Sequence, residues 1–165
     1  MTKLITLDFE TYYDQQYSLS KITTEAYVRS PLFETIGVSI KEGDETVWYP
    51  QPEVEDARAA IDWSDALVLG QNTMFDGAIL KWRYGVSPLG WMDTMCMSRA
   101  LYPHERSHSL SSQAKRMQVG EKGNAVVYAL GKRYKDFTAE ELARYGEYCR
   151  NDVDLTYALA AIYLQ

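Results

Sequence analysis

Apolar and polar residues follow two different periods along this chain, and each period predicts its own kind of element. Alternating positions and short apolar runs are typical of strands, and they mark residues 3–9, 33–40, 46–49 and 66–69. Gly43 and Asp44 are turn-forming residues between the second and third of these segments. The first three strands are therefore expected to form an antiparallel meander, and the fourth follows later in the chain.

Apolar positions three and four residues apart predict helices in most of the other segments. The predicted helices cover residues 52–61, 74–84, 93–101 and 109–117, and a long helix runs from about 138 nearly to the end. Thr138 and Glu141 have the spacing of a capping box, which places the start of the long helix there. This order of elements is that of an α/β protein. It resembles a ribonuclease-H-like mixed β-sheet flanked by α-helices, in which the first strand is central.

Length and composition favour one reduced globular domain. A chain of 165 residues is most simply a single domain, here residues 1–165, and is long enough to bury its own core. The sequence has no stretch typical of a secretory signal and no apolar run long enough to span a membrane. Cys96 and Cys149 are too few and too far apart for a disulfide scaffold or a zinc knuckle. We therefore expect a cytoplasmic protein that does not act at a membrane.

Four acids and one tyrosine stand at positions that the predicted fold would bring together. Asp8 and Glu10 are two residues apart on a strand, so both project from one face of the sheet. Asp76 lies in the first turn of a helix, where the helix dipole favours a carboxylate. Tyr148 and Asp152 are four residues apart on the last helix and share a face. Each residue alone has an ordinary structural interpretation, but the set favours a cleft for hard divalent cations such as Mg²⁺.

The formal charge of −6 is unfavourable for binding nucleic acid, because phosphates are usually contacted by Lys and Arg. Two divalent cations bound by the four acids would add four positive charges and leave −2. One segment, residues 113–135, is locally basic and contains a single acid, Glu121. Its cationic residues are Lys115, Arg116, Lys122, Lys132, Arg133 and Lys135. This segment is either a phosphate-contacting strip or a solvated surface.

Three short motifs carry a resemblance to a known family. They are Leu-Asp-Phe-Glu-Thr at 7–11, Asn-Thr-Met-Phe-Asp at 72–76 and Tyr-Cys-Arg-Asn-Asp at 148–152. In this order they resemble the DEDD exonucleases, in the branch whose last motif contains tyrosine. The histidine branch would need His five residues before the last acid, where Glu147 stands. Over about residues 3–160 the chain is most similar to the proofreading 3′–5′ exonuclease domain of bacterial and phage family A (DNA polymerase I-type) polymerases.

This resemblance implies a metal-dependent exonuclease that releases nucleoside 5′-monophosphates from single-stranded or frayed DNA 3′ ends. The implied cofactors are two divalent metal ions, Mg²⁺ or Mn²⁺. Asp8 would bridge both ions, Glu10 and Asp152 would complete the site that activates water, and Asp76 would hold the second ion. Tyr148 would orient the attacking water. The resemblance also implies the cytoplasm of a bacterium or phage-infected host, and it leaves open a DNA polymerase partner in the same chain or in another.

Several residues beside the motifs are candidate substrate contacts. Asn72 is expected either to contact the terminal nucleotide or to order its loop. Thr11, which ends the first motif, and Gln71, which precedes the second, are further candidates. Tyr12 either stacks on a base or packs against the protein. Cys149 is expected to pack on the side of its helix opposite Tyr148.

Two other functions are alternatives to DNA digestion. One is an exoribonuclease of the same branch, and the other is a non-catalytic module that binds a replication partner and retains the fold. The sequence also does not distinguish a replicative nuclease from a regulatory or defence-related one.

Overall fold

Five strands form one mixed sheet in the order β3-β2-β1-β4-β5. The strands are β1 (Lys3–Thr11), β2 (Thr35–Glu42), β3 (Glu45–Pro50), β4 (Ala66–Gly70) and β5 (Gly90–Asp93). The first three are antiparallel, whereas β4 pairs in parallel with β1 and with β5. The computed structural model describes residues 2–123 and 125–165. The predicted ribonuclease-H-like sheet, with the first strand at its centre and flanking helices, is therefore confirmed.

Six α-helices flank the sheet in the described part of the chain. They are α1 (Thr24–Arg29), α2 (Val54–Ala59), α3 (Thr73–Tyr84), α4 (Thr94–Leu101), α5 (Leu110–Met117) and α6 (Ala139–Tyr163). Short 3₁₀ turns lie at Gln51–Glu53, Trp63–Asp65, Ala125–Ala129 and Tyr134–Asp136. The predicted capping box is present, since Glu141 N donates to Thr138 Oγ1 at 3.2 Å and Thr138 N donates to Glu141 Oε2 at 2.9 Å. These bonds fix the start of α6 by using backbone donors that a helix terminus leaves unpaired.

The two faces of β1 have different roles because successive strand side chains point in opposite directions. Ile5, Leu7 and Phe9 are buried in the main apolar core, which also contains Ile79 of α3. The other face, which includes Asp8, is covered by α6. The carboxyl end of β1 is thus enclosed between α6 on one side and the start of α3 on the other, and this is where the motif acids lie.

Long α6 is anchored by a stripe of buried residues along its whole length. The members of this stripe include Tyr145, Cys149, Val153, Thr156 and Leu159. Their spacing of three and four residues is that of one helix face. Fully burying each of the large apolar members contributes about 1.5–3 kcal/mol. The stripe therefore fixes the rotation of α6, and with it the direction in which Asp152 projects.

No helix in the described part of the chain, residues 2–123 and 125–165, is both long and apolar enough to cross a membrane.

Candidate metal centre

Asp8 and Glu10 lie side by side at the carboxyl end of β1, and Cys149 of α6 lies against them. One ligand atom from each of the three residues falls within 4.8 Å of the others. The Cys149 thiol donates to the backbone oxygen of Asp8 at 3.3 Å and lies 3.7 Å from Asp8 Oδ2. Cys149 is buried, and beyond the packing role expected for it, it contacts an acid of the site. The reason is that Tyr145, Cys149 and Asp152 share the α6 face that meets β1.

Asp76 reaches the same end of the sheet from the first turn of α3. Its Oδ1 accepts the backbone N–H of Phe9 at 3.0 Å. Phe9 stands between Asp8 and Glu10, so this bond ties the start of α3 directly to the acid-bearing end of β1. The side chain of Asp76 is only 2% exposed. A buried carboxylate is costly without partners, and here the backbone N–H groups of Phe9 and of Asp76 itself donate hydrogen bonds to it.

Asp152 completes the acid cluster from α6, and a lysine contacts it. Lys122 Nζ lies 2.5 Å from Asp152 Oδ2, and the same ammonium is 5.2 Å from the centre of the Tyr148 ring. Asp152 Oδ1 is buried and has no hydrogen-bond partner among the described residues. An unpartnered carboxylate oxygen buried in a polar cluster is the kind of atom that a metal ion or water satisfies.

The acids are close enough to change each other's protonation. Burial, reinforced by the charge of Asp152 and opposed by Lys122, raises the pKa of Asp8 to about 7. Burial and the neighbouring Asp8 also raise the pKa of both Glu10 and Asp76. A hydrogen bond from Tyr145 opposes this rise at Glu10. Such a cluster favours cations, because each added positive charge stabilises the ionised carboxylates.

The donor set fits hard divalent cations. Carboxylate oxygens are the ligands that Mg²⁺ and Mn²⁺ prefer, and the cluster offers several, including the unpartnered Oδ1 of Asp152. The Cys149 thiol is a poor ligand for these ions, because burial raises its pKa and keeps it protonated. The residues that would hold the ions are therefore Asp8, Glu10, Asp76 and Asp152.

Tyr148 borders the cluster as a neutral phenol. Burial is the main cause that raises its pKa, and a hydrogen bond with Lys122 acts in the opposite direction. A phenol with a raised pKa is protonated at pH 7, so it can donate and accept hydrogen bonds but is not a strong base. The arrangement suits the predicted orienting role of Tyr148, which stays a prediction.

Thr11 and Tyr12, which the sequence offers as substrate contacts, both bond to the protein itself. Thr11 Oγ1 lies 2.8 Å from the hydroxyl of Tyr27. The Tyr12 hydroxyl donates to Asp14 Oδ2 at 2.7 Å, and the Arg133 guanidinium lies 4.0 Å from the centre of the Tyr12 ring. Their roles in substrate binding stay predictions, but each side chain already has a structural partner.

Gln71 and Asn72 lie at the turn between β4 and α3, and they differ in their contacts. The Gln71 amide donates to the His108 backbone oxygen at 2.9 Å, which links the turn to the start of α5. Asn72 has a left-handed backbone with φ 65° and no side-chain cap bond. Asp93 holds this turn, since its Oδ1 accepts the N–H of Asn72 at 3.1 Å and its Oδ2 accepts the N–H of Thr73 at 2.8 Å. Thr11, Tyr12 and Gln71 thus have side-chain hydrogen bonds within the protein, whereas the Asn72 side chain does not cap its helix.

An apolar groove of about 620 Å³ begins at this turn and follows the outer side of α3. Its lining includes Asn72, Met74, Trp91, Met95 and Arg99. Met74 and Trp91 are both exposed. Thr73, which also lines the groove, and Asp76 both lie close to Gly70: a Cβ added there would be within 4 Å of a Thr73 methyl group and of Asp76 Oδ2.

Much of the basic segment is paired with acids of the protein rather than open to solvent. Lys132 lies 2.5 Å from Glu141, and Arg133 lies 2.7 Å from Glu34. Lys122 pairs with Asp152. Cations that already pair with acids are less available to phosphates. These pairs therefore argue against a continuous phosphate-contacting strip over residues 113–135.

Sequence reasoning missed Lys122, Tyr145 and Cys149 as parts of the site. The sequence could have predicted the two α6 residues from their spacing. Tyr145 and Cys149 precede Asp152 by seven and three residues, so they share its helix face. Lys122 had no such signal, since it lies in irregular chain whose position depends on distant contacts.

Comparison with known proteins shows the fold. A scan against protein-family models gave no match, and a search among curated proteins gave none either. Among solved structures, Brucella melitensis NrnC with bound Mg²⁺ is similar, with a TM-score of 0.70 at 15% identity over 100% of this chain and 73% of that one. NrnC has also been solved bound to pGG.

Two further structures, both from Trypanosoma brucei, are similar to the chain. RNase D in complex with RNA U12 has a TM-score of 0.70 at 17% identity, covering 97% of this chain and 55% of that one. The catalytic core of RRP6 has a TM-score of 0.66 at 13% identity, covering 98% and 40%. The chain therefore has a ribonuclease-H-like fold that these nucleases share. A special closeness to family A proofreading domains stays a prediction.

Proposed function

We propose that this protein is a metal-dependent 3′–5′ exonuclease of the DEDD type that digests single-stranded RNA. The observation that carries the proposal is the convergence of acids from three separate elements at one end of the sheet. Asp8 and Glu10 come from β1, Asp76 from α3 and Asp152 from α6. Acids brought together at the cost of raised pKa values are typical of functional sites.

The chain's own residues account for the main requirements of phosphodiester hydrolysis. Asp8, Glu10, Asp76 and Asp152 would hold divalent cations, which when bound supply activation of water and stabilisation of the departing 3′ oxygen. Tyr148 would orient the attacking water through its neutral phenol. The products are a nucleoside 5′-monophosphate and a strand shorter by one residue.

RNA is the favoured substrate, although the sequence motifs alone led to an expectation of DNA. RNase D shares the fold and was solved with RNA U12, which supports RNA. The similarity of the motifs to proofreading domains supports digestion of DNA 3′ ends as the second candidate. In either case an unpaired end is expected, because a paired terminal base must unstack before its phosphodiester can reach a recessed cluster.

The groove that begins at Asn72 offers a place for the nucleotides near the 3′ end. Its lining combines the indole of Trp91 with the guanidinium of Arg99. Aromatic rings stack on bases of any sequence and cations contact phosphates, which is the usual composition of a single-strand site. Sequence-independent binding is therefore the expected behaviour.

Digestion of one RNA and one DNA of equal sequence tests the proposal. Each is labelled at the 5′ end and incubated with Mg²⁺, Mn²⁺ or a chelator. The expected result is a ladder of 5′-labelled products with the metals and none with the chelator, with faster digestion of RNA. Faster digestion of DNA would favour the second candidate, and a labelled mononucleotide as first product would reverse the polarity. No digestion at saturating Mn²⁺ would favour a non-catalytic binding module.

A further inference from the structure

The segment from Gly120 to Gly123 lies directly on α6. At Gly120, where φ is +142°, an added Cβ would come 2.9 Å from Leu155 Cδ2. At Gly123 an added Cβ would come 3.3 Å from Tyr148 Cδ2. Between them, the Asn151 amide donates to the Glu121 backbone oxygen at 3.0 Å. Two glycines and one side-chain hydrogen bond therefore hold this segment close to the helix that carries Asp152.

These contacts place the Lys122 ammonium inside the acid cluster. The ion pair with Asp152 measures 2.5 Å, and the side chains of Lys122 and Asp152 are 30% and 6% exposed. Among the ion pairs of residues 2–123 and 125–165, this one alone involves a proposed metal ligand. Partial burial of an ammonium is unfavourable unless an acid compensates it, so the position of Lys122 depends on Asp152.

We propose that Lys122 is a positioning residue that acts as an exchangeable counter-cation of the metal centre. It pairs with Asp152 before metal binds, gives up that carboxylate to the divalent ion, and then stays beside Tyr148 where a substrate phosphate would lie. This inference rests on the proposed function for its last step only. The first step concerns metal binding and stands on the ion pair itself.

Two effects of opposite sign follow from this role. Removing the ammonium leaves the Asp152 carboxylate without a partner before metal binds. The metal ion then does not have to break an ion pair to reach Asp152, so it binds more tightly. The same change removes a positive charge beside the reacting phosphate, so turnover becomes slower. A purely structural lysine would behave differently, because its loss would let Asp152 move out of the cluster, and metal binding and turnover would weaken together.

Calorimetric titration with Mg²⁺ in the absence of nucleic acid tests the exchange. Lys122→Met is expected to bind Mg²⁺ about tenfold more tightly than the wild type, or about 1.4 kcal/mol, whereas Lys122→Arg stays close to the wild type. Lys21→Met is the matched control, since Lys21 is exposed and takes part in none of the ion pairs of residues 2–123 and 125–165. With substrate, kcat of Lys122→Met should fall although its metal site is more easily filled.

A second variant keeps the test decisive if Lys122→Met does not fold. Asn151→Ala removes the hydrogen bond to Glu121 and loosens the segment while keeping the lysine. It should tighten Mg²⁺ binding by a smaller factor. Unchanged or weaker Mg²⁺ binding by folded Lys122→Met, or by Asn151→Ala where Lys122→Met does not fold, would overturn the proposal. Absence of nuclease activity in the wild type would contradict the proposed function but leave the calorimetric result valid.

Discussion

Asp76 accepts the backbone N–H of Phe9 through its Oδ1 at 3.0 Å, although the two residues are 67 positions apart in the chain. Phe9 separates the two acids of β1, so this one bond sets the position of the α3 acid relative to both. The carboxyl group thus has two roles, as hydrogen-bond acceptor in the fold and as proposed metal ligand.

Substitution of Asp76 should separate these two roles. Asp76→Asn keeps an acceptor for the Phe9 N–H, so the free energy of unfolding should change little while Mg²⁺-dependent digestion is lost. Asp76→Ala leaves that buried N–H unpaired, which costs about 1–3 kcal/mol. Urea denaturation of the metal-free variants measures the difference. Equal stability of the Asn and Ala variants would show that the bond is not important for folding.

Metal affinity should increase with pH. The pKa of Asp8 is raised to about 7, so below that pH a metal ion must displace a proton from the carboxyl group. Apparent Mg²⁺ affinity is therefore expected to rise by at least about tenfold per pH unit below pH 7. Calorimetry between pH 5.5 and pH 8.5 would measure this rise. An affinity independent of pH over that range would contradict the raised pKa.

The metal-free protein should lose stability as pH rises. The folded pKa of Asp8 is about 7 against an ordinary value of 3.8, so between these values the native state binds more protons than the unfolded state. The free energy of unfolding then falls with increasing pH across this window. Thermal melts at pH 5 and pH 8 in chelator test the direction. Asp8→Asn, which does not titrate, should reduce the dependence, and Mg²⁺ should restore stability at pH 8.

Tyr145 should tune Glu10 without binding metal itself. Its hydroxyl hydrogen-bonds to Glu10 and opposes the rise in the pKa of that acid. Tyr145→Phe is therefore expected to weaken Mg²⁺ binding near neutral pH by about tenfold, within the range usual for partners of metal ligands, and to move the rise in affinity to higher pH. A variant with weaker binding but an unmoved pH profile would indicate a packing effect.

Tyr148→Phe should lower kcat severalfold or more with little effect on metal affinity. The substitution removes the hydroxyl proposed to orient the attacking water and keeps the ring that lies beside Lys122. Single-turnover digestion of a labelled RNA measures the chemical step directly. Undiminished single-turnover rates would exclude the orienting role.

Local patterns explain why much of the fold was predictable. Alternation in β1 predicted both the strand and the shared face of Asp8 and Glu10, and the capping box at Thr138 lies within four residues. By contrast, α1 has six residues and β5 four, which is too short for a period to appear.

The composition of the site was predictable only in part, for a related reason. The acids stand in recognisable motifs, but Lys122 enters the cluster through contacts with residues about thirty positions later. Thr11 ends the first motif and Gln71 precedes the second, yet their side chains bond to Tyr27 and His108 of the protein. Adjacency in sequence does not determine where a side chain points.

The most direct test of the central claim compares wild-type protein with Asp8→Asn on a 5′-labelled single-stranded RNA. Both are first shown to be folded, and digestion is then followed with Mg²⁺, with Mn²⁺ and with chelator. We expect stepwise shortening from the 3′ end by the wild type with either metal, and none with chelator or with the variant. Digestion by Asp8→Asn at the wild-type rate, or shortening that persists in chelator, would contradict the assignment of these acids as the metal centre.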